Sequence, residues 1–336
     1  MIFVFRSVYA VVKKMFNAKN FPLYLSLLAV FFVLGYVRYA NSRMEKSLAV
    51  VEQDQRLEEG SLAPADLDET DMQPIPAITF DLPDSLNFAG EPVPMHLTDV
   101  RERVDKELHI NTYWHNNTIF LMKRANRWLP QIEAILRKNK IPDDFKYLPL
   151  IESGLMNDIS PKDAVGFWQI LKSAGKENGL EITNEVDERY DPLKATEAAC
   201  RYLRKAYNKF GNWTVVAASY NRGMGGMERA MENQQVKSYY DLFLNDETSR
   251  YVFRILACKE IIEHPSTYGF KVKPKHLYQP EPLKYIEVNQ TIPDLITFAK
   301  QQGTNYKLLK RHNPWLRDER LTVKKNKTYT IALPEN

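Results

Sequence analysis

The sequence predicts a mainly helical protein that opens on one membrane-spanning helix and closes on a small α+β module. Three observations predict it. Between residues 96 and 265 apolar side chains recur at helical spacing with no strand series between them. Residues 283–334 pass from alternation to helical spacing and back, and eighteen uncharged residues run from Asn20 to Val37. With 336 residues, 44% hydrophobic and 12% aromatic, the chain can fill a core domain and smaller parts beside it. The net charge of +4 conceals an asymmetry. Residues 45–91 carry twelve acids and two bases, a net of −10, which leaves +14 on the remainder.

Residues 1–19 hold Arg6, Lys13, Lys14 and Lys19 and no acid, and read as a short cytoplasmic segment by the positive-inside rule. Residues 20–38 then read as a single-pass transmembrane helix that leaves the bulk of the chain outside the cytoplasm. A cleaved signal peptide fits less well, because Val37-Arg-Tyr-Ala40 is a poor exit. No cysteine follows to take a lipid. Residues 40–95 contain Pro64, Pro74, Pro76, Pro83, Pro92 and Pro94 along with the acidic excess. Such composition cannot bury enough apolar surface to order itself, so 39–95 read as a linker. As a flexible coil it would reach on the order of 40 Å.

A helical domain over 96–270 follows. Val100, Val104 and Leu108 repeat behind a Thr98 cap, and Asn117–Trp128 and Leu129–Lys138 read as two helices divided near Pro130. In the next stretch Asp143 and Asp144 mark a helix start and Gly154 a stop. At helical spacing Leu148, Ile151 and Leu155 share an apolar arc, and Glu152 falls inside it. A carboxylate there turns outward to solvent, is satisfied by buried donors, or is held protonated for a purpose. Partial burial raises its pKa, which suits a general acid near neutral pH. Pro149 removes a helical bond beside it and predicts local weakening. Ser160–Ile170 opens with turn residues and turns apolar, and Asp191–Tyr207 is an amphipathic helix with an aspartate cap and proline at its first position. Trp213–Tyr220 is uncharged and central. Asn221–Gly226 reads as a loop whose glycines admit a ligand close to the backbone, and Glu247–Ala257 begins the last long helix. Cys200 and Cys258 sit in helical patterns and read as buried thiols, with a disulfide as the alternative.

The tail reads as strand Tyr285–Asn289, helices Pro293–Gln302 and Tyr306–His312, and strand Thr328–Leu333. Residues 271–328 carry thirteen bases and five acids, a net of +8, suited to an anionic surface. No nucleic-acid-binding signature accompanies that charge, so no nucleic-acid partner is expected. Six scattered histidines and two cysteines form no ligand spacing, and neither a metal nor a cofactor is implied.

Four motifs in order carry a resemblance: Glu152-Ser-Gly; Ser160-Pro with Gly166-Phe-Trp-Gln; Tyr190-Asp-Pro with Ala195-Thr; and Ala218-Ser-Tyr-Asn-Arg-Gly, followed by Glu247-Thr with Tyr251-Val. The chain resembles the soluble-lytic-transglycosylase-like domains over about 96–270, nearest to the membrane-bound lytic murein transglycosylase D type. Residues 283–334, with Asn313-Pro314 after the second helix, resemble a LysM module. The resemblance implies a lysozyme-like helical fold acting on peptidoglycan glycan strands in the periplasm, anchored at the inner membrane by the N-terminal helix. Glu152 matches the family's acid/base, which cleaves between N-acetylmuramic acid and N-acetylglucosamine and leaves 1,6-anhydro ends. Ser160 and Gln169 match substrate-binding positions, Tyr220 and Asn221 match groove positions, and Tyr251 falls close to the acid. Taken as residues alone, Tyr220 and Trp168 also fit plain core aromatics, and Ser160 a turn cap. Two rivals remain at this level: a lysozyme-like hydrolase using water, and a wall-binding scaffold without catalysis.

Overall fold

The computed structural model describes residues 79–335. The expected segments at 1–19 and 20–38, and the linker as far as residue 78, lie outside the described residues. Among the described residues no helix is long and apolar enough to cross a membrane.

The linker does not run to residue 95. Strands β1 (Asn87–Phe88) and β2 (Glu91–Pro92) pair around Ala89-Gly90, both at positive φ, and Phe88, Val93 and Met95 are buried in the helical core. Composition misleads here because one of the acids has fixed partners. Glu91 accepts hydrogen bonds from the amides of Trp213 and Thr214 at 2.6 and 2.8 Å and so caps a helix more than 120 residues away.

Helix α1 (Thr98–Tyr113) buries Val100, Val104 and Leu108 as its spacing requires, although Thr98 makes no cap bond. Helix α2 (His115–Lys138) is continuous where a break was expected. Pro130 lies inside it and withholds one backbone donor, a defect of about 3 kcal/mol in an isolated helix. Leu121, Ala125, Leu129, Ile132 and Leu136 are buried on both sides of the proline, and that packed face holds the axis together.

A 3₁₀ turn (Asp143–Tyr147) leads into the short α3 (Leu148–Ser153), and α4 (Lys172–Glu177) follows a turn-rich stretch. Helix α5 (Pro192–Phe210) begins as expected, with Asp191 accepting from the amides of Leu193 and Lys194. Helix α6 (Trp213–Arg222) is capped by Asn212 and buries Thr214 to Ser219 without interruption, which makes it the central element. The expected glycine loop at 221–226 is mostly helix instead. Gly223 (φ 79°) is the hinge, and α7 (Met224–Gln234) starts at once. The nearest heavy atom to a Cβ on Gly226 would be in the Arg222 side chain, at 2.9 Å, so close packing rather than a ligand explains that glycine. Helix α8 (Asp246–Glu263) packs against both α1 and α6 and completes the core. Cys200 and Cys258 are free and buried.

The tail forms as its pattern predicts: β3 (Leu283–Val288), α9 (Leu295–Gln301), α10 (Tyr306–His312) and β4 (Tyr329–Pro334). The strands pair antiparallel with Ile286 opposite Ile331. Asn313 is buried and acts as an extra rung. Its amide donates to the carbonyls of Leu309 and Ala332 and accepts from the Ala332 N–H. The module also takes in a residue of the helical domain. Val186 belongs to the module's apolar core, bridges Leu316, and is flanked by Asp187 N–H donating to Trp315 and Arg317 N–H donating to Glu185. Glu181 and Glu185 extend this seam by binding Lys327 and Tyr329, and Arg320 and Thr322. Two acids of one domain thus meet the basic surface of the other.

Candidate active site

Helix α3 is only six residues long, and its position comes from what it buries. Leu148, Pro149 and Leu150 are buried, and Gly154 ends the helix in the left-handed region (φ 60°). Arg124 fastens the exit by donating to the Gly154 carbonyl at 2.5 Å. The weakening expected at Pro149 does not arise. The chain changes from 3₁₀ to α geometry at Leu148, so the proline stands in the first turn, where its missing N–H costs nothing. Asp143 and Asp144 open the 3₁₀ turn where a helix start was expected, but neither side chain caps it. Asp143 pairs with Lys146, while Asp144 accepts from the Ala89 N–H and from Lys259, tying β1–β2 to α8.

Glu152 emerges from this frame half-buried, at a place where two clefts meet. One cleft, of about 360 Å³, is bordered by Ser160, Gln169, Tyr202, Tyr220 and Asn221. The other, of about 530 Å³, is bordered by Trp114, Met156 and Arg250. Glu152 and Glu247 line both. Tyr251, buried on α8, donates its hydroxyl to Glu152 Oε1 at 2.5 Å. Burial pushes the Glu152 pKa up. The Tyr251 hydrogen bond and the charge of Arg254 oppose that rise and Glu247 adds to it, and the balance stays above the ordinary glutamate value. Burial, then the Glu152 charge, pushes the Tyr251 hydroxyl well above its usual range, so it remains a donor.

The other sequence-predicted residues collect around the first cleft. Ser160 Oγ accepts from the Ala164 and Lys162 amides, which makes it a turn former at the cleft edge. Gln169 adopts φ 46°, and its amide donates to the carbonyls of Asp158 and Gly166, so its side-chain oxygen carries no such duty. Gly166 (φ 79°) is required there, because a Cβ would lie 2.1 Å from the Arg189 carbonyl oxygen. Tyr220 donates to the Trp168 carbonyl at 2.7 Å, and Trp168 itself is fully buried, its indole donating to Thr196. Trp168 is therefore a core aromatic and Tyr220 a cleft residue. Asn221 donates to Glu247 and accepts from Thr248.

Sequence reasoning passed over Arg254 and Glu247 as neighbours of Glu152, and Ser153, whose hydroxyl donates to the Phe167 carbonyl and joins α3 to the following loop. The first two were within reach. Glu247, Tyr251 and Arg254 are spaced i, i+4, i+7 and share one face of α8, so placing Tyr251 beside the acid places the others there too.

Residues 130–243 match the family model described as the transglycosylase SLT domain, and residues 284–336 match that of the soluble lytic transglycosylase C-terminal LysM-like domain. The chain carries an SLT domain followed by a LysM-like domain. The SLT match ends before α8, so Tyr251 and Arg254 join the site from beyond it. Membrane-bound lytic murein transglycosylase D of Escherichia coli (strain K12) is 29% identical over 194 residues, covering 55% of this chain and 42% of that protein. The match thus spans less than half of that relative's length. A protein of Alteromonas (strain M-1) named for tributyltin chloride resistance is 31% identical over 117 residues, 34% of this chain and 56% of that one. Among solved structures, an inactive mutant of the lytic transglycosylase Slt from Pseudomonas aeruginosa aligns with a TM-score of 0.33 and 16% identity, over 45% of this chain and 26% of that one.

Proposed function

We propose that this chain is a peptidoglycan lytic transglycosylase that cuts the bond between N-acetylmuramic acid and N-acetylglucosamine and leaves 1,6-anhydro-muramyl ends. The observation that carries the reading is Glu152: a carboxyl at the meeting of two clefts, with its pKa raised by burial and one oxygen held by a tyrosine. With Oε1 occupied by Tyr251, the proton sits on Oε2. It passes to the bridging oxygen as the bond to the muramyl anomeric carbon breaks. The carboxylate that forms is stabilised by the Tyr251 hydroxyl and the Arg254 charge, both of which favour the ionised form. Glu152 then takes the proton of the muramyl C6 hydroxyl as that oxygen bonds to the anomeric carbon. No water is consumed, and the acid is regenerated protonated.

Ser160, Gln169, Tyr220 and Asn221 are assigned to hold sugar in the first cleft, with the free Gln169 oxygen available to a hydroxyl. The LysM-like module adds a second hold on the glycan, and residues 20–38 anchor the chain at the inner membrane with both domains in the periplasm. A water-using hydrolase is the rival, and Glu247 is the feature in its favour, since a second carboxylate on the cleft is what activation of water would use. Digestion of purified peptidoglycan by the chain and by Glu152→Gln, with products weighed by mass spectrometry, separates the readings. Anhydro products one water lighter than reducing ends, absent with the variant, are expected. Reducing-end products would make the enzyme a hydrolase, and binding without any product would make the chain a scaffold.

A further inference from the structure

A third cleft, of about 540 Å³, lies between the helical domain and the C-terminal module, and its lining does not include Glu152. One wall carries Trp128 of α2 and Phe167, packed edge to face with ring centres 5.1 Å apart. The other is a face of β3 and β4 that presents Tyr285, which is 59% exposed. Aromatic walls of this kind accept the apolar stems of a ligand and leave its polar ends to be met elsewhere.

Charge is concentrated at one corner. Arg127 of α2 and Arg311 of α10 come from different domains and converge on the same oxygen of Glu281, Arg127 at 3.5 Å. The neighbouring His312 adds little charge at neutral pH, because burial holds its pKa below the usual value. Lys194, also on the lining, is bound by Glu188 at 2.7 Å. The second acid on the lining, Asp191, is engaged in capping α5. Two guanidiniums therefore share one carboxylate, and their fork geometry suits another. A neutral sugar offers the guanidiniums hydrogen-bond acceptors but no charge to take the place of Glu281. A peptide brings a carboxylate for the arginines and apolar stems for the aromatic walls.

We propose that this interdomain cleft binds a short carboxylate-bearing peptide, and that its occupant in the wall is the peptide stem borne by the glycan strand. The second clause rests on the reading given under Proposed function. The site makes the C-terminal module a reader of the strand's peptides together with the helical domain, and Arg127 and Arg311 are its anion-binding residues.

The test titrates the whole chain with the free tripeptide L-Ala-γ-D-Glu-meso-diaminopimelate, followed by calorimetry and by tryptophan fluorescence from Trp128 and Trp315. Saturable binding is expected. Arg311→Gln or Arg127→Gln should weaken it roughly tenfold, Tyr285→Ala should weaken it less, and Glu152→Gln should leave it unchanged. Glu281→Gln removes the same ion pairs as the arginine variants but frees both cations, so it should tighten binding. That opposite sign separates recognition of charge from loosened docking of the module. If Glu281→Gln weakens binding as the arginine variants do, or the arginine variants match wild type, or wild type does not bind the peptide, the proposal is overturned. Absence of peptide binding by a chain that still releases anhydro products defeats this proposal alone. Peptide binding by a chain that cuts no strand supports the cleft and defeats the enzymatic reading.

Discussion

Two glutamates flank helix α8 and are held by neighbouring residues of it. Arg250 grips Glu107, at 2.6 and 3.3 Å, and Tyr251 meets Glu152. Both acids line the same cleft. Glu107 is almost wholly buried and is answered by a full positive charge in a two-point grip, so it works as a tie between α1 and α8. Glu152 is answered by a neutral phenol, with Arg254 acting on it only through its charge, and its proton is retained above the ordinary glutamate range. The partner, more than the depth of burial, decides whether a buried carboxyl becomes a brace or an acid.

The comparison is broken most completely by Glu152→Gln. Turnover should fall by at least about 10² to 10⁴, the usual worth of a positioned general acid. The same variant should be more stable than wild type at neutral pH. Because the folded-state pKa of Glu152 is raised, the native state holds the proton longer than the unfolded chain. Stability is therefore unaffected below the ordinary carboxylate range and is lost as pH rises toward the raised value. Denaturant melts at acid and neutral pH would check this, and a variant less stable than wild type at both would contradict it.

Tyr251→Phe should lower kcat roughly 10- to 100-fold, the effect of losing a hydrogen bond to an ionised group at about 1.5–3 kcal/mol. It should also move the basic limb of the pH–rate profile upward, because the Tyr251 hydrogen bond lowers the Glu152 pKa. Glu107→Gln sharpens the contrast from the other side. It should cost about 2 kcal/mol of stability by unbalancing a buried pair, discounted because Arg250 is one-third exposed, and leave the pH profile in place. Chemical denaturation set beside kinetics would detect the split. The smallest effect is expected from Glu247→Gln. Its charge is the last contributor to the Glu152 shift, so its loss should move the basic limb slightly downward. A large loss of rate would instead mark Glu247 as a participant in the chemistry.

Much of this arrangement could be read from the chain. The strand-helix-helix-strand order of the tail depends on local periodicity and formed. The apolar arc expected around Glu152 did not, because α3 stops at Ser153, buries Leu148, Pro149 and Leu150 in succession, and leaves Leu155 past the Gly154 stop at φ 60°. What else escaped was long-range. Glu91 has the composition of a tether and the role of a cap, and that is decided by α6, far along the chain. Pro130 and the glycines at 225 and 226 are helix breakers by propensity, yet buried faces and close side-chain packing kept them inside helices. Arg254 and Glu247 share a face of α8 with Tyr251, so they could be set beside α3 only by way of Tyr251, since no spacing rule by itself reports contacts across a hundred residues.

Val186 has a consequence for how such proteins can be assembled. A module whose apolar interior is finished by a side chain from another domain is not a free cassette. A gene fragment cut at residue 283 would carry the strands and helices but leave a socket open to water where Val186 belongs. Recombination that moves this tail intact must bring the 181–188 loop with it, or find a host whose surface offers the same plug.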